Sequence, residues 1–339
     1  MMPRAAVTTL LIVAFAFGPC GPAHGQASTP SPAAIRSAPA GQAATNVVTF
    51  SPDGSRLAAV NKANEITIRD AATGRLIITL PGQDGYMSTL DWSPDGSLLA
   101  SGSNDGTVQI WDVAAETKRR TLTGFEALDR AFGGAADVAF SPNGRYVAGV
   151  QGAPSGRIVA RRVADGREVL RVDRPRKVGA LAWGPAGDTL YAVERDGALY
   201  TWSVPGGTQL ARRDLDDEQL TDLDRAGRFL AAGGEGETVF VVDTRRDTVV
   251  RRFDQGDFVN RTAVVPDAGL VASAGGDGLL RVWDLDTDEQ VIAQFAHDSI
   301  AYYVAASPDG EVLATVGEDN YIRLWDVASG TLVREIRGR

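Results

Sequence analysis

Two histidines and one cysteine, His24, His297 and Cys20, are all this chain offers for imidazole or thiol chemistry. A Ser-His-Asp relay needs an imidazole as its base and would have to use His297. A His-rich metal site is excluded by the same count. Carboxylates are more plentiful. Asp284, Asp286 and Asp288 alternate in "DLDTDEQ", a faint likeness to a calcium loop, but the glycine such a loop needs for its turn is missing. A solvated hairpin turn is the simpler reading. "GGEGET" (233–238) is glycine-rich, yet no helix is expected after it to cradle a phosphate. What recurs is an Asp followed by a Trp-Asp pair, in "SGSNDGTVQIWD" (101–112), "AGGDGLLRVWD" (274–284) and "GEDNYIRLWD" (317–326).

Recurrence on that scale points to architecture. The tight turn "SPDG" stands at 51–54, 93–96 and 307–310, and "SPNG" at 141–144. Weaker copies are "GPAG" (184–187), "DRAG" (224–227) and "VPDAG" (265–269). Their first residues lie 42, 48, 43, 40, 41 and 42 apart. Pro presets φ, Asp or Asn tolerates the second corner, and Gly takes the positive φ that closes a hairpin. Short apolar runs flank each turn, "VVTF" and "RLAAV" around the first. The unit is therefore four short β-strands. Seven such units predict an all-β fold, a seven-bladed β-propeller of four-stranded antiparallel blades over 45–339. Phe50, Trp92, Phe140 and Trp183 end first strands and are expected to pack between blades.

Trp111-Asp112, Trp283-Asp284 and Trp325-Asp326, with the SPDG turns ahead of them, resemble the WD40-repeat family across 45–339. "TVFVVDTRRDTVVRRF" (238–253) also looks like the related YVTN-type repeats. The WD40 resemblance implies a buried hydrogen-bonded tetrad of His, Ser or Thr, Asp and Trp. In the last repeat that set is His297, Thr315, Asp319 and Trp325. Other repeats hold partial sets: Gln83, Ser101, Asp105 and Trp111; Gln255, Ser273, Asp277 and Trp283; and Asp196 with Trp202. The resemblance gives His297 a structural role and implies binding through the face that carries the loops between blades.

On that face the longest loop, "TGFEALDRAFGGAAD" (123–137), offers Phe125, Leu128 and Phe132, either as a contact surface or folded onto its own blade. Tyr86, Met87, Phe258 and Tyr302 occupy similar places in other blades, where aromatics suit hot spots. "RVDRPRK" brings Arg171, Arg174, Arg176 and Lys177 ahead of the fourth repeat, and the next loop carries Asp214, Asp216, Asp217 and Glu218. The two groups either neutralise each other or form a bipolar docking surface.

Ahead of the repeats, Arg4 and the uncharged apolar run 5–17 have the form of an export signal, ending near 25 or 27. Cys20 sits after Pro19, a loose fit to a lipoprotein signal, so a lipid anchor is the lesser expectation. Residues 28–44 are rich in Pro, Ala and Ser and read as a flexible linker. The net charge of −9 argues against generic nucleic-acid binding. The sequence thus predicts an exported, periplasmic or extracellular scaffold, monomeric, that binds a protein or peptide without catalysis. No cofactor, metal or membrane span of the mature chain is expected. The alternative is an envelope enzyme of the lactonase or quinoprotein kind, which would need a metal or cofactor cluster at the channel mouth.

Overall fold

The computed structural model describes residues 46–125, 135–151, 156–215 and 219–338. These form seven four-stranded antiparallel sheets, each built from strands consecutive in sequence. The blades of this β-propeller are 1 (48–80), 2 (87–122), 3 (135–174), 4 (178–214), 5 (220–254), 6 (259–295) and 7 (301–337). Blade 7 supplies its own outer strand, Leu332–Arg337, so the ring closes on blade 1 without a borrowed one.

Burial grades outward along each blade because neighbours cover both of its faces. The second strands Leu98–Ser103 and Tyr146–Gln151 are buried at every position. They read as continuous runs rather than alternating ones, as doubly covered strands do. Outer strands are largely exposed, as in Thr117–Leu122. In all seven blades the pairing of third and outer strands shifts register once. Such bulges increase local twist. Phe50, Trp92, Phe140 and Trp183 are buried between blades, as expected.

The SPDG turns form the lower rim. The Ser51 hydroxyl donates to Asp53 at 2.6 Å, its Oγ accepts the Arg56 N–H at 2.9 Å, and Gly54 N–H donates to the Ser51 carbonyl at 2.8 Å. Gly54 has φ of 70°, which is why a glycine closes the turn. Each turn also seats on its neighbour. A Cβ on Gly54 would lie 3.7 Å from Pro308, one on Gly96 3.7 Å from Pro52, and one on Gly144 3.9 Å from Pro94.

The first strands of all seven blades line a central channel with a cavity of about 250 Å³. Four aspartates there bind blades together. Asp91 of blade 2 accepts the Phe140 N–H of blade 3 at 2.6 Å, and Asp137 of blade 3 accepts the Leu181 N–H of blade 4 at 3.0 Å. Asp224 of blade 5 accepts the Val264 N–H of blade 6 at 2.7 Å, and Asp222 accepts the Thr262 hydroxyl at 2.7 Å. Arg261 is their counter-charge, donating to Asp222 at 2.6 Å with its guanidinium 4.5 Å from the Tyr303 ring centroid.

Burial pushes the Asp91 carboxyl up to about 7 and Asp224 up to about 6, against the backbone donors that favour their charged forms. An acid whose folded pKa is raised binds its proton more tightly in the folded state. Its stabilising effect is complete below the ordinary carboxylate value of 3.8 and is lost as pH rises towards 7. Asp91→Asn keeps an acceptor for Phe140 and removes that titration. Thermal melting between pH 4 and 7 should show the native protein weakening as pH rises. The variant's slope should be shallower by up to about 1.4 kcal/mol per pH unit. Identical slopes refute the assignment.

Candidate functional site

The face opposite the SPDG turns, the upper face, carries the loops between blades and the turns between second and third strands. One backbone bond recurs there. The N–H of Asn104, Gly276 and Glu318, each in such a turn, donates to the carbonyl of Tyr86, Phe258 and Ile300 in the preceding loop. Side chains then lock loop to turn.

In blade 7 the lock is a closed circuit. Trp325 Nε1–H donates to Thr315 Oγ1 at 3.0 Å, and His297 Nε2 lies 3.0 Å from the same oxygen. His297 Nδ1 lies 2.9 Å from Asp319 Oδ1, and Arg323 donates to Asp319 Oδ2 at 2.5 Å. The Asp319 contact favours the tautomer in which Nδ1–H donates to the carboxylate and the Thr315 hydroxyl donates to Nε2, with Arg323 Nη1 2.8 Å from the same Nδ1. Burial lowers the His297 pKa, with Asp319 opposing, so the ring is held neutral. His297 and Thr315 are buried. Every polar atom of the ring is engaged within the blade.

Blade 2 reaches the same end by another route. Trp111 Nε1–H donates to Ser101 Oγ at 2.9 Å, and the Ser101 hydroxyl donates to Gln83 Oε1 at 2.6 Å. Gln83 Nε2 donates to Thr107 Oγ1 at 2.9 Å, and the Thr107 hydroxyl passes the chain to Asp105 at 2.7 Å. The sequence suggested an incomplete set here. Thr107, a residue absent from that set, carries the chain from the Gln83 amide to Asp105.

Blade 6 shows what happens without that threonine. The Ser273 hydroxyl donates to Gln255 Oε1, but Leu279 stands where blade 2 has Thr107, and the buried Gln255 Nε2 has no partner. Asp277 is held instead by Arg281 at 2.6 Å. Trp283 stacks on Phe253 with ring centroids 5.2 Å apart. In blade 4, Trp202 stacks on Tyr200 at 5.4 Å, and the Arg174 guanidinium lies 4.2 Å from the Tyr200 centroid.

The Asp of each Trp-Asp pair has a separate task. Asp112 accepts the Ala115 N–H at 3.0 Å, Asp284 the Thr287 N–H at 2.9 Å, and Asp326 the Ser329 N–H at 2.7 Å. These are side-chain-to-backbone turns that start the hairpin to the outer strand. They also settle "DLDTDEQ" as a hairpin turn, in which Asp288 pairs with Arg251. Among the described residues no group of three or more His, Cys, Asp or Glu side chains could hold a metal ion, and no helix is long and apolar enough to cross a membrane.

The surface candidates divide. Tyr86 is 36% exposed, and Tyr302 and Phe258 are half-buried. Tyr302 lies near enough to Tyr86 to help burial raise the pKa of its hydroxyl. The Phe258 ring rests on the backbone of Gly276. Met87, expected at the surface, is instead a buried core side chain, and Phe125 is buried too, the second of the two readings its loop allowed. Phe125 packs among Val138, Phe140 and Val147, over Gly149, which leaves the ring room. Leu128 and Phe132 lie outside the described residues. Among the described residues the three arginines of the basic group have carboxylate neighbours in their own blade or the next. Arg174 pairs with the buried Glu194, Arg176 approaches Asp196 at 3.7 Å, and Arg171 pairs with Glu168 at 2.9 Å. Lys177 is half-buried beside Arg195, and burial lowers its pKa. Asp214 pairs with Arg212 at 2.5 Å, and Asp216, Asp217 and Glu218 lie outside the described residues.

Comparison with known proteins follows the same division between blades. The family model "WD domain, G-beta repeat" matches residues 74–112, 248–284 and 289–326. Each match runs from the outer strand of one blade through the third strand of the next, and the three end on the Trp-Asp pairs of blades 2, 6 and 7. The chain is 27% identical over 156 residues to the tRNA (guanine-N(7)-)-methyltransferase non-catalytic subunit wdr4 of Xenopus laevis, covering 44% of this chain and 39% of that protein. The match therefore spans under half of that relative's length. A chain of the solved "Crystal Structure of Mitotic Checkpoint Complex" superposes with a TM-score of 0.74 at 21% identity, over 85% of this chain and 93% of that one. At that identity the likeness shows the fold alone.

Two substitutions test the circuits. Leu279→Thr should supply the missing relay in blade 6 and stabilise the protein by about 1 kcal/mol, a rise in melting temperature of about 2 °C. No rise refutes the relay. His297→Ala orphans the buried Thr315 and should destabilise by about 2 kcal/mol. An unchanged melting midpoint would exclude the structural role of His297.

Proposed function

We propose that this chain, a WD40-repeat β-propeller, is a non-catalytic scaffold that holds a protein or peptide partner on its upper face. The observation that carries this reading is the commitment of the groups able to do chemistry. His297 is consumed by its circuit, and Asp91, Asp137, Asp222 and Asp224 each accept hydrogen bonds from the next blade. What remains for function is shape and surface. Tyr86 and Tyr302 stand close together on the upper face, partly exposed and backed by rigid blades. Tyrosine offers large contact area at small entropy cost, so partner binding concentrates at such positions. WD40 propellers in general serve as non-catalytic interaction scaffolds, which supports the same reading. The apolar run 5–17 adds that the scaffold works beyond the cytoplasm, in the periplasm or outside the cell.

Photo-crosslinking residues placed in living cells at Tyr86 and Tyr302, with Asp53 on the lower rim as control, test both parts. A single reproducible adduct in the envelope or secreted fraction, formed from the two tyrosine positions and absent from Asp53, is expected. Tyr86→Ala should weaken the complex about tenfold or more. Adducts formed equally from both faces, or only in the cytoplasm, overturn the proposal.

A further inference from the structure

The outer strands divide the circumference into two arcs. Those of blades 2 to 5, "TKRRTL", "EVLRVDR", "QLARRD" and "TVVRRFD", are each rich in ionisable side chains. Charges are how a sheet edge is guarded against pairing with another chain. The outer strands of blade 1, Leu76–Leu80 ("LIITL"), and of blade 6, Gln290–Phe295 ("QVIAQF"), carry none. The blade 6 strand is the last of its sheet, and among the described residues its outer edge has no strand partner. Phe295 is 80% exposed and Val291 49%. Among the described residues, six of the eight large exposed hydrophobics lie on the outer strands of the adjoining blades 6, 7 and 1.

We propose that this edge is where two copies of the chain meet, blade 6 to blade 6, antiparallel about a two-fold axis at Ala293. The strand's own sequence argues for a second copy. Pairing centred on Ala293 sets Val291 opposite Phe295 twice, with the small Ala293 facing itself on the axis. Ala293 and Phe295 share one face of the strand by alternation, Val291 sits at its bulge, and all three are exposed. Aromatic against β-branched is a favourable cross-strand pair. The opposite face is already taken, since Ile292 is buried against Gly330 of blade 7. The same operation on blade 2, centred on Arg120, would set Arg120 opposite itself, like charges directly across the ladder. An isologous contact of this kind closes at two copies. Leu332 and Val333 on the neighbouring blade extend the apolar strip beyond the strand pair. The dimer leaves both upper faces open, so it does not depend on the partner proposed there.

Sedimentation velocity of the full chain across the micromolar range tests the association, and a cysteine crosslink tests its geometry. Residues facing each other across an antiparallel pair have Cα atoms about 4.5–5.5 Å apart, within the reach of a disulfide. With Cys20→Ser, Ala293→Cys should therefore yield a covalent dimer on mild oxidation. Gln209→Cys on blade 4 should not. Val291→Lys with Phe295→Lys should abolish the dimer and leave the melting temperature unchanged. A chain that stays monomeric throughout the range overturns the proposal, and so does a dimer that survives both lysines. Equal crosslinking from Ala293→Cys and Gln209→Cys does the same, as does a monomer that binds only lipid vesicles or a foreign strand through this edge.

Discussion

A blade of four short strands cannot shelter both of its faces, so everything in this protein depends on how one blade is fastened to the next. Hydrophobic burial supplies the attraction but not the alignment. Alignment comes at the channel, where an aspartate on one inner strand accepts a backbone N–H from the next. Asp91, Asp137 and Asp224 each make this bond across a blade boundary. The carboxylates are driven into a low-dielectric wall to do it, and burial raises the pKa of all three. Arg261 and Tyr303 belong to the same arrangement. Aspartates at the channel join blades 2 to 3, 3 to 4 and 5 to 6, and the SPDG turns seat on their neighbours at the lower rim, so several blade boundaries are fixed at two heights.

With the blades aligned, the upper face is free to vary. Three blades solve one local problem, the tying of a loop to a turn, with different success. Blade 7 uses an imidazole, blade 2 an amide plus Thr107, and blade 6 an amide that reaches nothing. These are also the blades that match the WD40 repeat model. Blade 4 has given up the circuit for stacking of Tyr200 on Trp202 beneath Arg174. Rigidity at the upper face is therefore uneven from blade to blade. Tyr86 and Tyr302 project from the two blades whose circuits are closed. That is where a binding surface gains most from a fixed backbone.

The circumference shows a different economy. Charged outer strands on blades 2 to 5 keep the sheet edges apart from other chains. Blades 1 and 6 omit that protection over a whole strand. The proposed binding face and the proposed dimer edge are thus separate surfaces of one ring.

Much of this was legible in the residues. The period of the SPDG-like turns and the apolar runs beside them set the number of blades, because every one of these turns closes on a glycine at positive φ. The WD40 resemblance implied the set His297, Thr315, Asp319 and Trp325, and strand register brings its members together. The inner-strand aspartates, in "STLDW" and "LTDLDRA", stood in plain view as charges within apolar runs, yet their acceptors' partners lie about forty residues away in sequence. The burial of Met87 and Phe125 and the pairing of Arg174 with Glu194 were equally hidden. Sequence by itself determined the repeat, its turns and its local hydrogen-bonded sets, which depend on contacts within one unit. Tertiary structure alone decided which charges face each other, which aromatics stay exposed and which edge is left open. Those depend on blades meeting across the ring, and a chain written one repeat after another does not state its neighbours in space.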